Sequence, residues 1–153
     1  MRVLGVDFGL RFLGLALFDG HSSLPLEALE VIAPSLILPS LEEVCRQYVV
    51  GKVVFGLPYL KDGKLGSLGR KIKNMGSKLQ ESLERRDLKV SIDFVDEQLT
   101  SFQASQDLKG GAVKRNKKRS AENSLAAVFI LRNYLFSLEN KSKGKNKEPD
   151  FDE

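Results

Sequence analysis

Two strand-length apolar runs stand side by side at the start of the chain with one glycine as punctuation between them. Arg2–Phe8 and Phe12–Phe18 are separated by Gly9, the second run contains Gly14, and Asp19-Gly20 then supplies a hairpin signal. So short a connection leaves antiparallel pairing as the way to satisfy both backbones. A third run, Leu24–Ala33, alternates imperfectly and contains Pro25, which cannot donate to a ladder and therefore suits an edge. The chain is expected to open as a three-strand meander, with the Val3-Leu4-Gly5-Val6 run in a central strand.

The pattern then changes period. Ser40 followed by Glu43 matches a capping box, and Leu41, Val44, Cys45 and Tyr48 give one apolar face to a short helix. Lys52–Leu57 holds the continuous run Val53-Val54-Phe55, ended by Gly56-Leu57-Pro58, as expected of a strand covered on both faces. Leu68, Ile72, Met75, Leu79 and Leu83 recur at helical spacing, with Lys71, Lys73, Lys78 and Arg85 on the wetter sides. Val90–Val95 reads as a strand ending in Asp96-Glu97, and Leu125, Val128, Phe129, Arg132 and Leu135 mark a last helix from about Ala121 to Leu138, with Ala126-Ala127 suited to close packing. The order β-β-β-α-β-α-β-α predicts an α/β domain, a mixed five-stranded sheet with helices on both faces.

A chain of 153 residues, 42% of them hydrophobic, supports one core. We expect one domain over residues 1–138. Residues 139–153 alternate Lys141, Lys143, Lys145 and Lys147 with small polar residues before Asp150, Asp152 and Glu153, and are expected to be a disordered charged tail. The longest apolar stretches, Met1–Phe8 and Val49–Pro58, break well short of the roughly 20 residues that a membrane-spanning helix needs. No secretory layout precedes Asp7, so a cytoplasmic protein is expected. The one cysteine, Cys45, excludes an internal disulfide and reads as a buried structural thiol. The one histidine, His21, follows a turn and reads as a solvated loop residue.

The net charge of +4 is modest, but its placement is uneven. Lys109, Lys114, Arg115, Lys117, Lys118 and Arg119 crowd into a glycine-containing segment, a combination suited to a loop that contacts phosphates, though equally compatible with a solvated surface loop. Acids stand at the ends of elements. Asp7 lies in the expected central strand, where a carboxylate is costly unless it binds something; the ordinary alternative is that it accepts amide bonds from the Gly9 turn. Asp96 and Glu97 close the last strand, the usual location of a site in an open α/β sheet. Glu122 opens the last helix, where the helix dipole is a sufficient ordinary explanation. Metal-dependent phosphodiester cleavage needs acids converging from separate elements to hold cations about 4 Å apart.

Taken together, Met1-Arg-Val-Leu-Gly-Val-Asp7-Phe-Gly9 with Gly14, Gly56-Leu57-Pro58, Asp62-Gly63, Asp96-Glu97-Gln98-Leu99-Thr100 and Ser124-Leu-Ala-Ala-Val-Phe-Ile-Leu131 with Tyr134 resemble the YqgF family. That family comprises proteins assigned as pre-16S rRNA nucleases and also as Holliday-junction resolvases. The resemblance runs in order from Met1 to about Leu138. It implies a ribonuclease H-like fold with an acidic metal site binding Mg2+ or Mn2+, and it carries the first acid onto Asp7 and the second onto Glu97. The third acid falls on Asn123, whose amide oxygen can ligate a cation but brings no charge. Glu122 is adjacent, about 100° away around a helix. Leu10, Phe12 and Gln98 also depart from the family's polar or basic residues; Arg11 and the basic segment are candidates to supply the phosphate contacts instead.

The resemblance therefore implies a hydrolase acting on ester bonds, with Asp7, Glu97 and Asn123 as catalytic residues and Glu122 as a further metal ligand. It implies structured RNA, namely pre-16S rRNA within ribosomal precursor particles, or branched DNA as the partner. A junction resolvase would need a dimer; a monomer or weak homodimer is the expectation. A second reading takes the loss of charge at Asn123 as the mark of a catalytically degenerate RNA-binding protein. A third takes Val6-Asp7-Phe8-Gly9 as the phosphate turn of an actin-like ATPase; such enzymes use two such domains, and this chain has the length of one.

Overall fold

The computed structural model describes residues 1–9, 11–96 and 115–147, with side chains for all of these except 115–123 and 142–147. Among the described residues five strands and three α-helices follow in the order β1 (Val3–Phe8), β2 (Phe12–Phe18), β3 (Ser23–Glu30), α1 (Ile37–Gln47), β4 (Lys52–Leu57), α2 (Ser67–Arg85), β5 (Ser91–Asp96) and α3 (Arg115–Lys147). The sheet order is β3-β2-β1-β4-β5. β1 pairs antiparallel with β2, and β2 with β3, as the short connections require. β4 pairs parallel with both β1 and β5, its crossovers being long enough to carry helices. β1 is thus the central strand, and β3, with Pro25 against Ala16, is at an edge.

Alternation along the strands sorts side chains to two faces. Leu4, Val6, Leu13, Leu15, Val53, Phe55 and Leu57 point to one side, where Leu41, Val44 and Cys45 of α1 and Ile72, Leu79 and Leu83 of α2 close over them. Val3, Ala16 and Val54 point to the other, beneath Ala127, Val128, Ile130, Leu131 and Tyr134 of α3. Each fully buried Leu, Ile or Phe in these layers contributes about 1.5–3 kcal/mol through the apolar surface it takes out of water. Among the described residues no helix is long and apolar enough to cross a membrane.

The third strand ends at Glu30 rather than Ala33, and three helix boundaries differ from the sequence expectation. α1 starts a turn before Ser40, which is therefore inside the helix and caps nothing; a 3-10 turn at Pro34–Leu36 leads into it, and Glu43 pairs with Arg46 instead. Ile37 and Leu38 pack partly against the core and extend the apolar stripe backwards, and Pro39 is tolerated because first-turn amides have no partner within the helix. α3 begins at Arg115, so Arg115, Lys117, Lys118 and Arg119 lie on helix rather than in a loop; Lys and Arg are good helix formers, and the segment's glycines, 110 and 111, precede it. At its other end α3 continues to Lys147, past the expected boundary at Leu138.

Cys45 is buried, as expected. Desolvation, and secondarily the nearby Glu42 carboxylate, push its thiol up to about 12. Thiolate is the reactive form, so iodoacetamide at about pH 8 should leave the native protein unmodified and label it fully in denaturant. Rapid labelling of the native chain would show that the α1 layer opens readily. His21 lies in an exposed turn, where its amide and that of Ser22 donate to Asp19 Oδ1 at 2.9 and 3.0 Å. Those two amides hold the Asp19 carboxyl below its usual value.

Candidate active site at the carboxyl edge of the sheet

Asp7 sits one residue before the end of β1 and is only 7% exposed. Val3 and Gly5 face α3, so a period of two puts Asp7 on the same face. Its cross-strand partner in β2 is Gly14, where the β2–β3 register is irregular. On the other side the β1–β4 register, with Val6 against Phe55, brings Asp7 level with Gly56. Asp7 is therefore flanked in the sheet by two residues without side chains. In the turn that follows, the Gly9 amide donates to the Phe12 carbonyl at 3.0 Å.

α3 is held over this face at three levels. Lys52, opposite Val3 at the beginning of β4, donates from Nζ to the Tyr134 hydroxyl at 2.6 Å and lies 5.2 Å from the centre of its ring. Further along β1, a Cβ on Gly5 would meet Leu131 Cγ at 2.7 Å and the Ala127 carbonyl oxygen at 2.9 Å, so glycine is what lets helix and strand approach so closely. Closest to the active edge, the buried Ser124 hydroxyl donates to the Leu26 carbonyl of β3 at 2.6 Å. From Tyr134 back towards Ser124 the helix therefore runs from the amino to the carboxyl edge of the sheet. Position 123 lies one turn before Ala127, on the stripe that continues to Leu131, whereas 122 is about 100° away from that stripe. The buried face centres on Ala127, Leu131 and Tyr134, while Arg132, expected on the apolar side, is exposed. Ser124 belongs to the last motif of the resemblance, but its tie to β3 joins residues far apart in the chain and has no signal in the helical pattern.

The remaining candidates divide by what is described. Asp96 ends β5 opposite Leu57, and Val95 before it packs on the α3 face. Glu97, Lys109 and Lys114 lie outside the described residues. Glu122, Asn123, Arg115, Lys117, Lys118 and Arg119 lie on α3 where the backbone alone is described. Arg11 is exposed in the β1–β2 turn, its carbonyl accepting the Val31 amide at 2.8 Å. Among the described residues no three His, Cys, Asp or Glu side chains gather as a metal site.

The sequence matches the profile of the family described as RuvX, Holliday junction resolvase, over residues 1–137. The chain belongs to the RuvX family. A candidate pre-16S rRNA nuclease from Caldanaerobacter subterraneus subsp. tengcongensis is 36% identical over 143 residues, which cover 92% of this chain and 99% of that protein. Another, from Desulforudis audaxviator, is 35% identical over 148 residues, 95% and 99% of the two chains. Among solved structures, T. thermophilus RuvC in complex with Holliday junction substrate superposes with a TM-score of 0.53 at 16% identity, covering 90% of this chain and 96% of that one. The fowlpox virus Holliday junction resolvase gives 0.52 at 14%, covering 90% and 99%. At such identities these two establish the fold, which is ribonuclease H-like. RuvX membership and this fold together make the chain a nuclease-type hydrolase of the ribonuclease H-like superfamily.

Proposed function

We propose that this RuvX-family chain is a divalent-metal-dependent nuclease that hydrolyses phosphodiester bonds in 5′-end processing of pre-16S rRNA, working in the cytoplasm on ribosomal precursor particles. The observation that carries the reading is the burial of Asp7 at the carboxyl end of the central strand, under a helix that Gly5 allows to lie close. A carboxylate held there can converge with donors from neighbouring elements, and an all-oxygen donor set suits Mg2+ or Mn2+. Asp7, Glu97 and Asn123 would hold the metal, with Glu122 as the alternative donor from α3. When bound, the metal supplies positive charge to the phosphate in the transition state and makes water more acidic. The strand holds the Asp7 oxygens in a fixed place, α3 carries position 123 on the stripe that packs against β1, and Arg11 is free to clamp a phosphate from the turn beyond β1. The substrate follows the two relatives, both candidate pre-16S rRNA nucleases.

Two other readings have specific support. The family description favours branched DNA as substrate, in which case two copies of the chain would be needed to cut opposed strands. Asn123 favours a degenerate protein that binds RNA without cutting it. The deciding experiment incubates a labelled 16S rRNA precursor and, in parallel, a four-way DNA junction with the native protein, Asp7→Asn and Asn123→Asp under Mg2+ and Mn2+. The nuclease reading expects native cleavage of the rRNA precursor near its 5′ end, with Asn123→Asp altering the rate by less than about tenfold and tightening metal binding. Cleavage of the junction alone would select the resolvase; cleavage acquired only in Asn123→Asp would select the degenerate binder.

A further inference from the structure

The strongest unassigned surface is basic and lies on the same sheet edge as Asp7. Between residues 61 and 78 there are six basic residues, Lys61, Lys64, Arg70, Lys71, Lys73 and Lys78, against a single acid, Asp62. All six are exposed. The second half of the α2 region differs: Arg85 pairs with Glu81 at 3.7 Å and Arg86 with Glu42 at 3.1 Å. Among the described residues Lys61, Lys64, Lys71 and Lys73 form no such pair. The positive charge is thus left uncompensated at the end of α2 that adjoins the carboxyl edge, and neutralised at the other.

The segment bearing it is built rather than loose. Between β4 and α2, Tyr59 bridges antiparallel to Leu65, the Leu60 amide donates to the Lys64 carbonyl at 2.9 Å, and the Gly63 amide donates to the Leu60 carbonyl at 2.9 Å. Gly63 takes φ 80°, which glycine adopts without strain, and Asp62 Oδ1 accepts the Lys64 amide at 3.0 Å. Arg70 braces the hairpin from the first turns of α2 by donating to the Leu65 carbonyl at 3.0 Å. Lys73 leans over the Phe94 ring at 5.9 Å, two residues before the end of β5. A rigid hairpin and helix carrying unpaired lysines lose little freedom when they meet a row of phosphates.

We propose that the β4–α2 hairpin and the first turns of α2 dock the sugar-phosphate backbone of a duplex arm leaving the Asp7 site, with Lys61, Lys64 and Lys71 each contacting a phosphate. This rests on the nuclease reading and extends its binding surface to the face of the sheet opposite α3. A polyanion fits because the lysines span a hairpin and a helix and share one edge with the candidate site, so one continuous backbone can reach both.

The test is fluorescence anisotropy of a labelled duplex of about 30 base pairs, without divalent metal, across a salt series. It compares the native protein, the triple variant Lys61→Gln/Lys64→Gln/Lys71→Gln, and a control of equal charge change at the amino edge, Arg46→Gln/Arg85→Gln/Lys89→Gln. The triple variant should bind about tenfold or more weakly at moderate salt and lose about 2.7 units of salt slope, roughly 0.9 for each lost contact. The control should stay near native. Equal losses in both variants would mean a diffuse response to net charge and would overturn the proposal. Native-like binding by the triple variant would overturn it too, leaving the surface to an acidic protein partner, while the nuclease reading would stand. If the native protein bound no duplex or rRNA precursor, both would fall. Circular dichroism and melting of each variant separate lost contacts from lost fold.

Discussion

Replacing Asp7 with asparagine should lower cleavage by about 10²–10³-fold, the scale on which catalysis falls when one electrostatic support of the transition state is removed. The substitution is nearly isosteric and lies in a strand held by Gly14 on one side and β4 on the other, so the fold should persist. Nucleic-acid affinity measured without metal should change little, since Asp7 carries the wrong sign to hold a phosphate directly. The independent readout is thermal. At a metal concentration 100 times its Kd, linkage stabilises a one-site protein by about 2.7 kcal/mol, which raises the melting temperature of a domain this size by roughly 5–10 °C. The native protein should show that shift with Mn2+ and the Asp7→Asn variant should not. A variant that still cut, and still gained the full shift, would remove Asp7 from the metal site.

Gly5→Val should be the most damaging single substitution in the sheet. A Cβ at this position would stand 2.7 Å from Leu131 Cγ and 2.9 Å from the Ala127 carbonyl oxygen. The leucine has rotamers to retreat into, but the carbonyl belongs to the helix backbone and yields only if α3 lifts. Overpacking a core of this kind costs about 1–3 kcal/mol for the first added group, so Gly5→Ala should lower the melting temperature by roughly 2–10 °C and Gly5→Val by more. Cleavage should fall beyond what melting explains, because lifting α3 carries position 123 away from Asp7. Combining Gly5→Ala with Leu131→Ala should recover only part of the loss, the carbonyl contact remaining. A Gly5→Val protein melting with the native one would mean that α3 does not lie where the close approach puts it.

Period and punctuation made most of the fold legible. The second strand and β4 match their expected spans residue for residue, the first begins one residue later than expected, and Pro25 marked β3 as an edge. The start of α1 was misread because Ser40 and Glu43 carry a capping signature, while the competing signal, Ile37 and Leu38 one turn earlier, depends on a core to bury them. The same limit applies to α3. Its central residues are apolar on several sides, so the sequence pattern could not choose the phase that places Ala127, Leu131 and Tyr134 innermost. The basic residues at its start, Arg115, Lys117, Lys118 and Arg119, read as a loop because charge suggests solvent, and solvent exposure does not distinguish a helix from a loop. Of the candidate site, Asp7 stood out as an acid within an apolar strand; the lysines of the β4–α2 region did not, because Lys71 and Lys73 read as the wet side of a helix and Lys61 and Lys64 carry no pattern of their own.

What the sequence determines by itself is local and periodic: the strand and helix segments, their order, an acid at the end of the first strand, and the chain of motifs that marks the family. These follow from side-chain volume, backbone freedom and hydrophobic spacing, which act over a few residues. Tertiary structure decides what lies beside what. Only in the folded sheet do Gly14 and Gly56 flank Asp7, does Gly5 admit Ala127 and Leu131, and do Lys61, Lys64 and Lys71 fall on the edge where β1 ends, because these relations join residues far apart in the chain through strand register and the closeness with which a helix can approach a strand.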